Sequence, residues 1–347
     1  MPLTAAVALA VAAGLDVAVA EPPARLHPVA GFGRVVGRVE DGWNERRPST
    51  ASEALGARDA PTRMAGVLAA LSLPIGFAGA AAAVVALGAR LDLRVGVALA
   101  AGVLFSTTSA RLLLDSAEDV IRESDADLDA ARRDLRSLAG RDPDALDAPH
   151  LRSAAVESLA ENLADGLVAP LVAFAVVAAV GGSLVEGTPG AAPLPLAAGA
   201  GAAAWVKGVN TMDSMWGYRS KPIGWAAARL DDAVMWVPAR LTAALLAVAA
   251  GAPTLPARRR VRRFAGRPSS PNSGWPMAAM AALLSARLHK PGAYDLAPVA
   301  AGDETTAAAG ESAGAPLPDV AAATRAVRVT RRAAALAVAF AGVVAWF

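Results

Sequence analysis

Three carboxylates at four-residue intervals, Glu157, Glu161 and Asp165, are the most informative chemical feature of this sequence. On a helix, positions i, i+4 and i+8 lie on one face, and like charges at that spacing destabilise the helix. The row leads directly into an apolar stretch, where unpaired charge is costly. This pattern indicates a bound cation, either Mg²⁺, which prefers oxygen ligands, or an amine. The alternative is a solvated helix face that pairs with nearby arginines such as Arg152.

A second polar block extends from Asn210 to Arg240, at the mouth of two apolar stretches. Its basic side chains are suited to binding phosphate: Arg219, Lys221, Arg229 and Arg240. Its acids are suited to holding a metal: Asp213, Asp231 and Asp232. The alternative is a cytoplasmic loop with ordinary topology-setting charge, although that alternative gives no reason for adjacent aspartates.

Other polar positions carry weaker signals. The run Ser269–Gly274, which contains Ser270 and Asn272, is typical of a turn that offers hydroxyl and N–H groups to an anion. His27 follows the first apolar stretch, and a single histidine is more often structural than catalytic. Asp16 lies inside that stretch and is a functional candidate by its position. The sequence contains no G-x-x-x-x-G-K-[ST] motif, so nucleotide binding requires a different kind of site.

The composition excludes several classes of protein. The chain has no Cys, which rules out disulfides, thiol nucleophiles and thiolate metal sites, and its three His are far apart in sequence. The 33 basic and 31 acidic residues nearly balance, so nucleic acid is not an expected partner. Only 18% of the residues are charged, 55% are hydrophobic and the mean hydropathy is +0.41. These values predict an all-α, polytopic membrane protein.

Six apolar stretches are predicted to cross the membrane. They are Pro2–Ala20, Ala65–Ala89, Val95–Leu114, Gly166–Val185, Pro193–Val206 and Ala333–Phe347. The alternative for the first is a signal peptide, because Ala18-Val19-Ala20 resembles a cleavage site, but it lacks a basic leading region. With six spans, the long Arg-rich segments all fall on one side, which the positive-inside rule makes the cytoplasm.

The remaining segments complete a single predicted membrane domain over residues 1–347. Ala233–Gly251 is interrupted by Pro238 and Arg240, so we predict a re-entrant or interfacial helix. Residues 115–165 are predicted to be a helical cytoplasmic segment, broken by a turn at Gly140. Residues 300–318 are rich in Ala, Gly, Thr and Glu, as in a flexible linker before the last span.

Taken in order, these motifs resemble the adenosylcobinamide-phosphate synthase family of cobalamin biosynthesis. The resemblance covers roughly Pro2 to Pro298, and its most specific blocks are AEN-x-x-DG, NTMDSM-x-GY and ARLDD…PAR. Weaker matches are Asp16…Glu21-Pro22-Pro23…His27-Pro28-Val29, Arg58-Asp59-Ala60, Gly140-Arg141-Asp142 and Ser270-Pro271-Asn272-Ser273-Gly274…Tyr294. Members of the family often carry a His just before the Ser-Pro-Asn turn, whereas this chain has Arg267-Pro268-Ser269 there.

The resemblance implies a cell-membrane enzyme, with its active site facing the cytoplasm, that uses ATP and Mg²⁺ to join aminopropanol phosphate, or aminopropanol, to adenosylcobyric acid. Its catalytic acids would be Glu157, Glu161, Asp165, Asp213, Asp231 and Asp232, with Glu161, Asp165 and Asp231 as Mg²⁺ ligands. Its substrate-binding residues would be His27, Asn162, Asn210, Arg219, Arg229, Arg240, Ser270 and Asn272. The expected partners are the corrinoid, the amino alcohol, membrane lipid, and either a second copy or other cobalamin-assembly enzymes.

The alternative function is a membrane transporter or a corrinoid-binding protein. Broken helices are typical of transporters, and Ala233–Gly251 is such a segment. Transporters usually also show repeat-related halves, and the sequence contains no internal repeat. The acids, moreover, cluster at the predicted cytoplasmic ends of the spans rather than in the middle of the membrane.

Overall fold

The computed structural model describes residues 2–23, 25–45, 59–140, 142–188, 190–191, 193–218, 221–252, 258–297 and 315–347. Its helices are α1 (Pro2–Val19), α2 (Pro28–Glu45), α3 (Asp59–Leu91), α4 (Leu93–Thr107), α5 (Arg111–Ala126), α6 (Leu128–Leu138), α7 (Ala148–Leu163), α8 (Ala169–Leu184), α9 (Pro193–Trp216), α10 (Trp225–Val234), α11 (Trp236–Ala249), α12 (Arg258–Ala265), α13 (Gly274–Leu284) and α14 (Val320–Trp346). The strands β1 (Leu288–Lys290) and β2 (Tyr294–Leu296) form an antiparallel hairpin. The predicted all-α class is confirmed, and the hairpin is an addition that the sequence did not indicate.

Aspartates begin several of the helices that carry polar residues. Asp127 accepts hydrogen bonds from the backbone N–H groups of Asp129 and Ala130 at the start of α6. Asp147 accepts one from the N–H of His150 at the start of α7. These caps satisfy N–H groups that have no partner within the helix. The predicted break near Gly140 falls between the two helices, so local sequence defines both boundaries.

A π-helical turn, Ala164–Val168, follows α7 directly and contains Asp165. A π turn adds one residue to the helical repeat and is frequently found at functional sites. The acid row predicted from i, i+4 spacing therefore runs along α7 only as far as Glu161. The third acid of the row lies on backbone of a different helical type.

The chain divides into two compact units. Unit 1 consists of Met1–Ser109, Ala169–Val234 and Val338–Phe347, and unit 2 consists of Ala110–Val168 and Met235–Ala337. In unit 1, α9 packs against α3 and α8, and a core cluster forms around Trp216, Met212 and Phe32. In unit 2, α7 packs against α5, α13 and the hairpin.

By length and hydropathy, four helical stretches among the described residues can cross a membrane: Pro61–Leu91, Leu93–Ala126, Ala148–Leu184 and Val320–Trp346. The pair Pro222–Val234 and Trp236–Ala249 makes five if it is one broken span. The polytopic membrane architecture is thus confirmed, with four or five such stretches where six spans were predicted. The predicted spans Pro2–Ala20 and Pro193–Val206 are not among the four stretches. The first region forms a shorter apolar helix, Leu3–Val19. The second is part of α9, which carries Lys207, Asn210 and Asp213 in its second half.

The break in the predicted re-entrant segment lies at Met235, between α10 and α11. The sequence had placed the interruption at Pro238 and Arg240. Pro238 instead occupies the first turn of α11, where the missing N–H of proline has no helical partner to lose. Most of the predicted linker, 300–318, lies outside the described residues. Its last residues are anchored in unit 2, where the carbonyl oxygens of Pro316 and Pro318 accept hydrogen bonds from Arg287 and Arg152.

Candidate functional site

An acid pair forms at the end of α9 in unit 1. Asp213 lies one turn before the helix end, and its carbonyl oxygen accepts a 2.6 Å hydrogen bond from the N–H of Gly217. A Cβ at position 217 would collide with the Asp213 carboxylate, so the glycine is what allows this carboxylate to fold back against the helix end. Asp232, on α10, lies close enough for its charge to act on Asp213.

Electrostatics at this pair favour a bound cation. Burial, and then the neighbouring charge of Asp232, raise the pKa of Asp213 to about 6. Arg229, which is mostly exposed, lies 3.5 Å from Asp232 and offsets part of this negative charge. Mg²⁺ is commonly held by one or two carboxylates together with substrate phosphates, so two acids beside an arginine suit a metal–phosphate ligand.

The loop that follows α9 is tightly packed against neighbouring backbone. Gly224 contacts the backbone oxygen of the buried Trp216 where any Cβ would clash, and Gly66 on α3 contacts Ile223 in the same way. Lys221, predicted to bind phosphate, lies 2.7 Å from Glu40 and donates to the carbonyl oxygen of Met215. Its amine is therefore held inside unit 1. Arg219 lies outside the described residues.

The other predicted residues of unit 1 have separate surroundings. Asp231 is buried, at 8% exposure, and Asn210 is half-buried on α9. His27 precedes α2, and its Nδ1 accepts a 3.2 Å hydrogen bond from the N–H of Val29. Burial lowers the pKa of His27, and Lys207 lowers it further, against the opposing charge of Glu21. This histidine therefore favours its neutral form.

Glu157 in unit 2 is held at both carboxylate oxygens. The hydroxyl of Ser153 donates to Oε1 at 2.8 Å, and that of Tyr294 donates to Oε2 at 2.6 Å. The side chain is 1% exposed. Charged groups this deeply buried persist only when they are hydrogen-bonded, and here a residue from the hairpin supplies one of the two bonds. Glu157 thus joins α7 to β2.

The rest of the acid row is more open. Glu161 and Asp165 are both half-buried, and the side-chain amide of Asn162 donates to the carbonyl oxygen of Leu138. Arg152, which the alternative explanation of the row gave as an example of a partner, donates to Asp125 at 2.6 Å, to Ser124 and to the carbonyl oxygen of Pro318.

The Ser-Pro-Asn turn meets Arg240 within unit 2. The guanidinium donates at 3.1 Å to Oδ1 of Asn272, which is 3% exposed, and at 2.7 Å to the carbonyl oxygen of Trp236. It lies 4.3 Å from the ring centre of Trp236 and 4.8 Å from that of Trp275, both within cation–π range. The hydroxyl of Ser270 accepts from the N–H of Asn272 and shapes the turn. Arg240 and Asn272, predicted separately as substrate-binding residues, are thus brought together.

Sequence reasoning did not find a second polar cluster near the start of α7. Nε2 of His150 and Nδ1 of His289 are 3.2 Å apart, and Nδ1 of His150 is 2.6 Å from Asp147. The N–H of His289 donates to Ser153, so the pair also joins the hairpin to α7. The two histidines are 139 positions apart, and nothing in the sequence indicated that they would meet.

No group of three or more His, Cys, Asp or Glu suited to a metal occurs among the residues that the structure describes. Of the predicted Mg²⁺ ligands, Glu161 and Asp165 belong to unit 2 and Asp231 belongs to unit 1. That ligand set stays a prediction. The pair Asp213 and Asp232 fits a metal that takes its remaining ligands from water and phosphate.

The fold and these clusters define an all-α, polytopic membrane protein whose polar sites are built from carboxylates, amides and guanidinium groups. A family model described as CobD/Cbib protein matches residues 9–329. The chain belongs to this family.

Individual relatives agree with the family match. The chain is 33% identical over 285 residues to a "Probable cobalamin biosynthesis protein CobD" of Methanothrix thermoacetophila, covering 81% of this chain and 83% of the relative. It is 35% identical over 301 residues to the "Cobalamin biosynthesis protein CobD" of Rhodobacter capsulatus, covering 82% of each. A "Probable cobalamin biosynthesis protein CobD" of Thermococcus kodakarensis is 36% identical over 282 residues, covering 80% and 81%. No solved structure matches the chain.

Proposed function

We propose that this chain is a membrane enzyme of cobalamin biosynthesis that joins an amino alcohol, as its O-phosphate or free, to adenosylcobyric acid by ATP-dependent amide formation. Membership of the CobD/Cbib family supports the biosynthetic role. The observation that carries the proposal is the acid pair of Asp213 and Asp232 beside Arg229. This pair can hold a metal–phosphate group, and the reaction requires one.

The chemistry needs activation of the acid, because forming an amide from a carboxylate in water is uphill. In the first step, a carboxylate oxygen of the corrinoid attacks the γ-phosphorus of ATP and ADP leaves. The amine nitrogen then attacks the acyl carbon of this acyl phosphate, and inorganic phosphate leaves. The proton lost from nitrogen passes to a carboxylate base. When bound, Mg²⁺ neutralises the charge on the phosphates.

The residues of unit 1 are suited to the phosphoryl-transfer part of this reaction. Asp213 and Asp232 would hold the metal, and the exposed guanidinium of Arg229 would contact a phosphate oxygen. With a pKa of about 6, Asp213 is largely ionised at neutral pH, as a metal ligand must be. Asp231 and Asn210 remain candidates for substrate contacts.

Unit 2 by itself carries polar side chains of the kinds that bind organic substrates. Glu161 and Asp165 are half-buried carboxylates that would accept a proton from an amine. Asn162 can hydrogen-bond an amide of the corrin rim. Arg240, with Asn272 and Ser270, forms an ordered polar surface for a phosphate or an amide.

The test is to incubate the detergent-purified protein with adenosylcobyric acid, Mg-ATP and either aminopropanol phosphate or aminopropanol. We expect an amide product and ADP in equal amounts, detected by mass spectrometry. Asp213→Asn and Asp232→Asn should each lower turnover by about 10²-fold or more.

The matched control is Asp115→Asn on α5, an exposed acid that pairs with Arg111 and should leave turnover unchanged. If folded protein binds the corrinoid without consuming ATP, the chain is a binding or transport protein and the synthase proposal fails. If product forms equally fast in Asp213→Asn, the acid pair is not the phosphoryl site.

A further inference from the structure

A cavity of about 330 Å³ lies in unit 1 among the ends of four helices, α1, α8, α9 and α14. Its wall is made largely of small residues, including Ala5, Ala178, Gly182 and Ala345. A Cβ at Gly182 would meet no atom within 4 Å, so the space at this position is open rather than filled by neighbouring side chains. A volume of this size is at the lower end of that of small-molecule sites.

The surface around the cavity is apolar and exposed. Leu3 on α1, Leu184 on α8 and Leu194 on α9 are 59%, 79% and 51% exposed. Along α8, Val180 and Val176 continue the exposed stripe one and two turns before Leu184, respectively. Exposed apolar side chains from three helix ends need a covering solvent other than water, and α8 belongs to a stretch that can cross a membrane. A bilayer supplies such a solvent for these side chains.

The charge at the cavity mouth selects among lipids. Glu186 is exposed and lines the mouth together with the hydroxyls of Ser183 and Thr4. The described lining residues include no Lys or Arg, the side chains that would attract the phosphate of an anionic lipid. A carboxylate with hydroxyl groups suits an ammonium headgroup and repels a net anionic one.

The cavity is separate from the acid pair. Pro195, which lines the cavity, and Asp213 are 18 positions apart on α9, which corresponds to about 27 Å along a helix. A ligand in the cavity therefore does not take part in the chemistry proposed at Asp213 and Asp232.

We propose that this cavity is a binding site for a zwitterionic phospholipid with a primary ammonium headgroup, with one acyl chain among Ala178, Gly182 and Ala345 and the ammonium group at Glu186. The apolar stripe on α8 leads the chain from the bilayer into the cavity. The proposal is independent of the catalytic activity.

The test is native mass spectrometry of the full chain in detergent, titrated with palmitoyl-oleoyl phosphatidylethanolamine or the matching phosphatidylglycerol. We expect the ethanolamine lipid to be retained at least 5-fold more than the glycerol lipid. Gly182→Phe, which adds an aromatic ring to the cavity wall at a position where a Cβ has room, should lower this retention at least 10-fold. Gly79→Phe is the control and should have no effect, because this glycine on α3 is exposed and an added Cβ there also meets no atom within 4 Å.

Glu186→Gln at the exposed mouth should abolish the difference between the two lipids, and it tests the proposal even if Gly182→Phe does not fold. Equal retention of the two lipids by the unmodified protein would overturn the proposal, as would preference for the anionic lipid. The same holds if Glu186→Gln keeps the full preference for the ethanolamine lipid.

Discussion

The hydroxyl of Tyr294 donates a 2.6 Å hydrogen bond to the buried carboxylate of Glu157, which links the hairpin to α7. Tyr294 also lies 3.7 Å from the sulfur of Met277 on α13. One phenol therefore joins three elements of unit 2. Of the acids in the predicted row, Glu157 has the clearest structural role.

We expect Tyr294→Phe to destabilise the protein by about 1–3 kcal/mol, because a buried carboxyl oxygen loses its hydrogen-bond donor. Thermal unfolding in detergent measures this loss. Glu157→Gln should retain part of the stability, since an amide oxygen still accepts one of the two bonds. Tyr218→Phe, which changes the exposed tyrosine, is the control. A Tyr294→Phe protein as stable as the parent would show that this bond does not stabilise the fold.

Asp213 should make stability depend on pH in the acidic range. The folded state holds the Asp213 proton up to a pKa of about 6, whereas an aspartate carboxyl in the unfolded chain loses its proton near a pKa of 3.8. The folded state therefore binds more protons in between, and the free energy of unfolding should fall as pH rises from about 4 to about 6. Asp213→Asn should remove this component. A melting-temperature profile from pH 4 to 7 that is identical in the two proteins would contradict the assignment.

His289 should act in the opposite direction. Burial lowers its pKa below 6.5, with the charges of Arg287 and His150 adding to the effect. Its contribution to stability is thus complete above pH 6.5 and lost as pH falls through the folded-state pKa. Its Nδ1 lies 3.2 Å from Nε2 of His150.

The measurement for this histidine pair is the melting temperature of His289→Gln between pH 5 and 7.5, compared with the parent. We expect the variant to lose less stability on acidification. His27→Gln tests the same effect in unit 1, because burial lowers the pKa of that half-buried histidine as well, and we expect it too to lose less stability on acidification. A steeper acid loss in His289→Gln than in the parent would refute the prediction.

Gly224 should tolerate no side chain. A Cβ there meets the backbone oxygen of Trp216, which neither a rotamer change nor a flexible neighbour can relieve. We expect Gly224→Ala to cost more than about 2 kcal/mol or to prevent folding. Gly42→Ala on α2, where no atom lies within 4 Å, should be neutral or stabilising by about 0.5–1 kcal/mol. The measurement is a comparison of the melting temperature and expression level of the two variants. Equal values for Gly224→Ala and Gly42→Ala would contradict the prediction.

Local patterns in the sequence predicted most of the helical architecture. The apolar lengths predicted the membrane class, and the turn at Gly140 predicted a boundary that falls between α6 and α7. The pairing of Arg240 with Asn272 was not predicted, although each residue was singled out for substrate binding. Their contact depends on how α11 packs against α13, which no local periodicity encodes.

Long-range contacts account for the remaining differences. The alternative explanation of the acid row paired it with arginines such as Arg152, but the partners of Arg152 include Asp125 on α5 and the carbonyl oxygen of Pro318. The hairpin has two strands of three residues, too short for an alternating pattern to be recognised, and its anchoring bond reaches 137 positions back to Glu157. The π turn was not predicted either, because the four-residue spacing of the acids is the spacing expected for an α-helix.

The two units are interleaved along the chain, and this has a consequence for biosynthesis. Unit 1 contains Met1–Ser109 and Val338–Phe347, with Ala110–Val168 of unit 2 encoded between its parts. During translation, the early helices of unit 1 are released from the ribosome long before α14 can join them. We expect these helices to depend on insertion chaperones during that interval, and neither half of the gene to yield a folded unit when expressed alone.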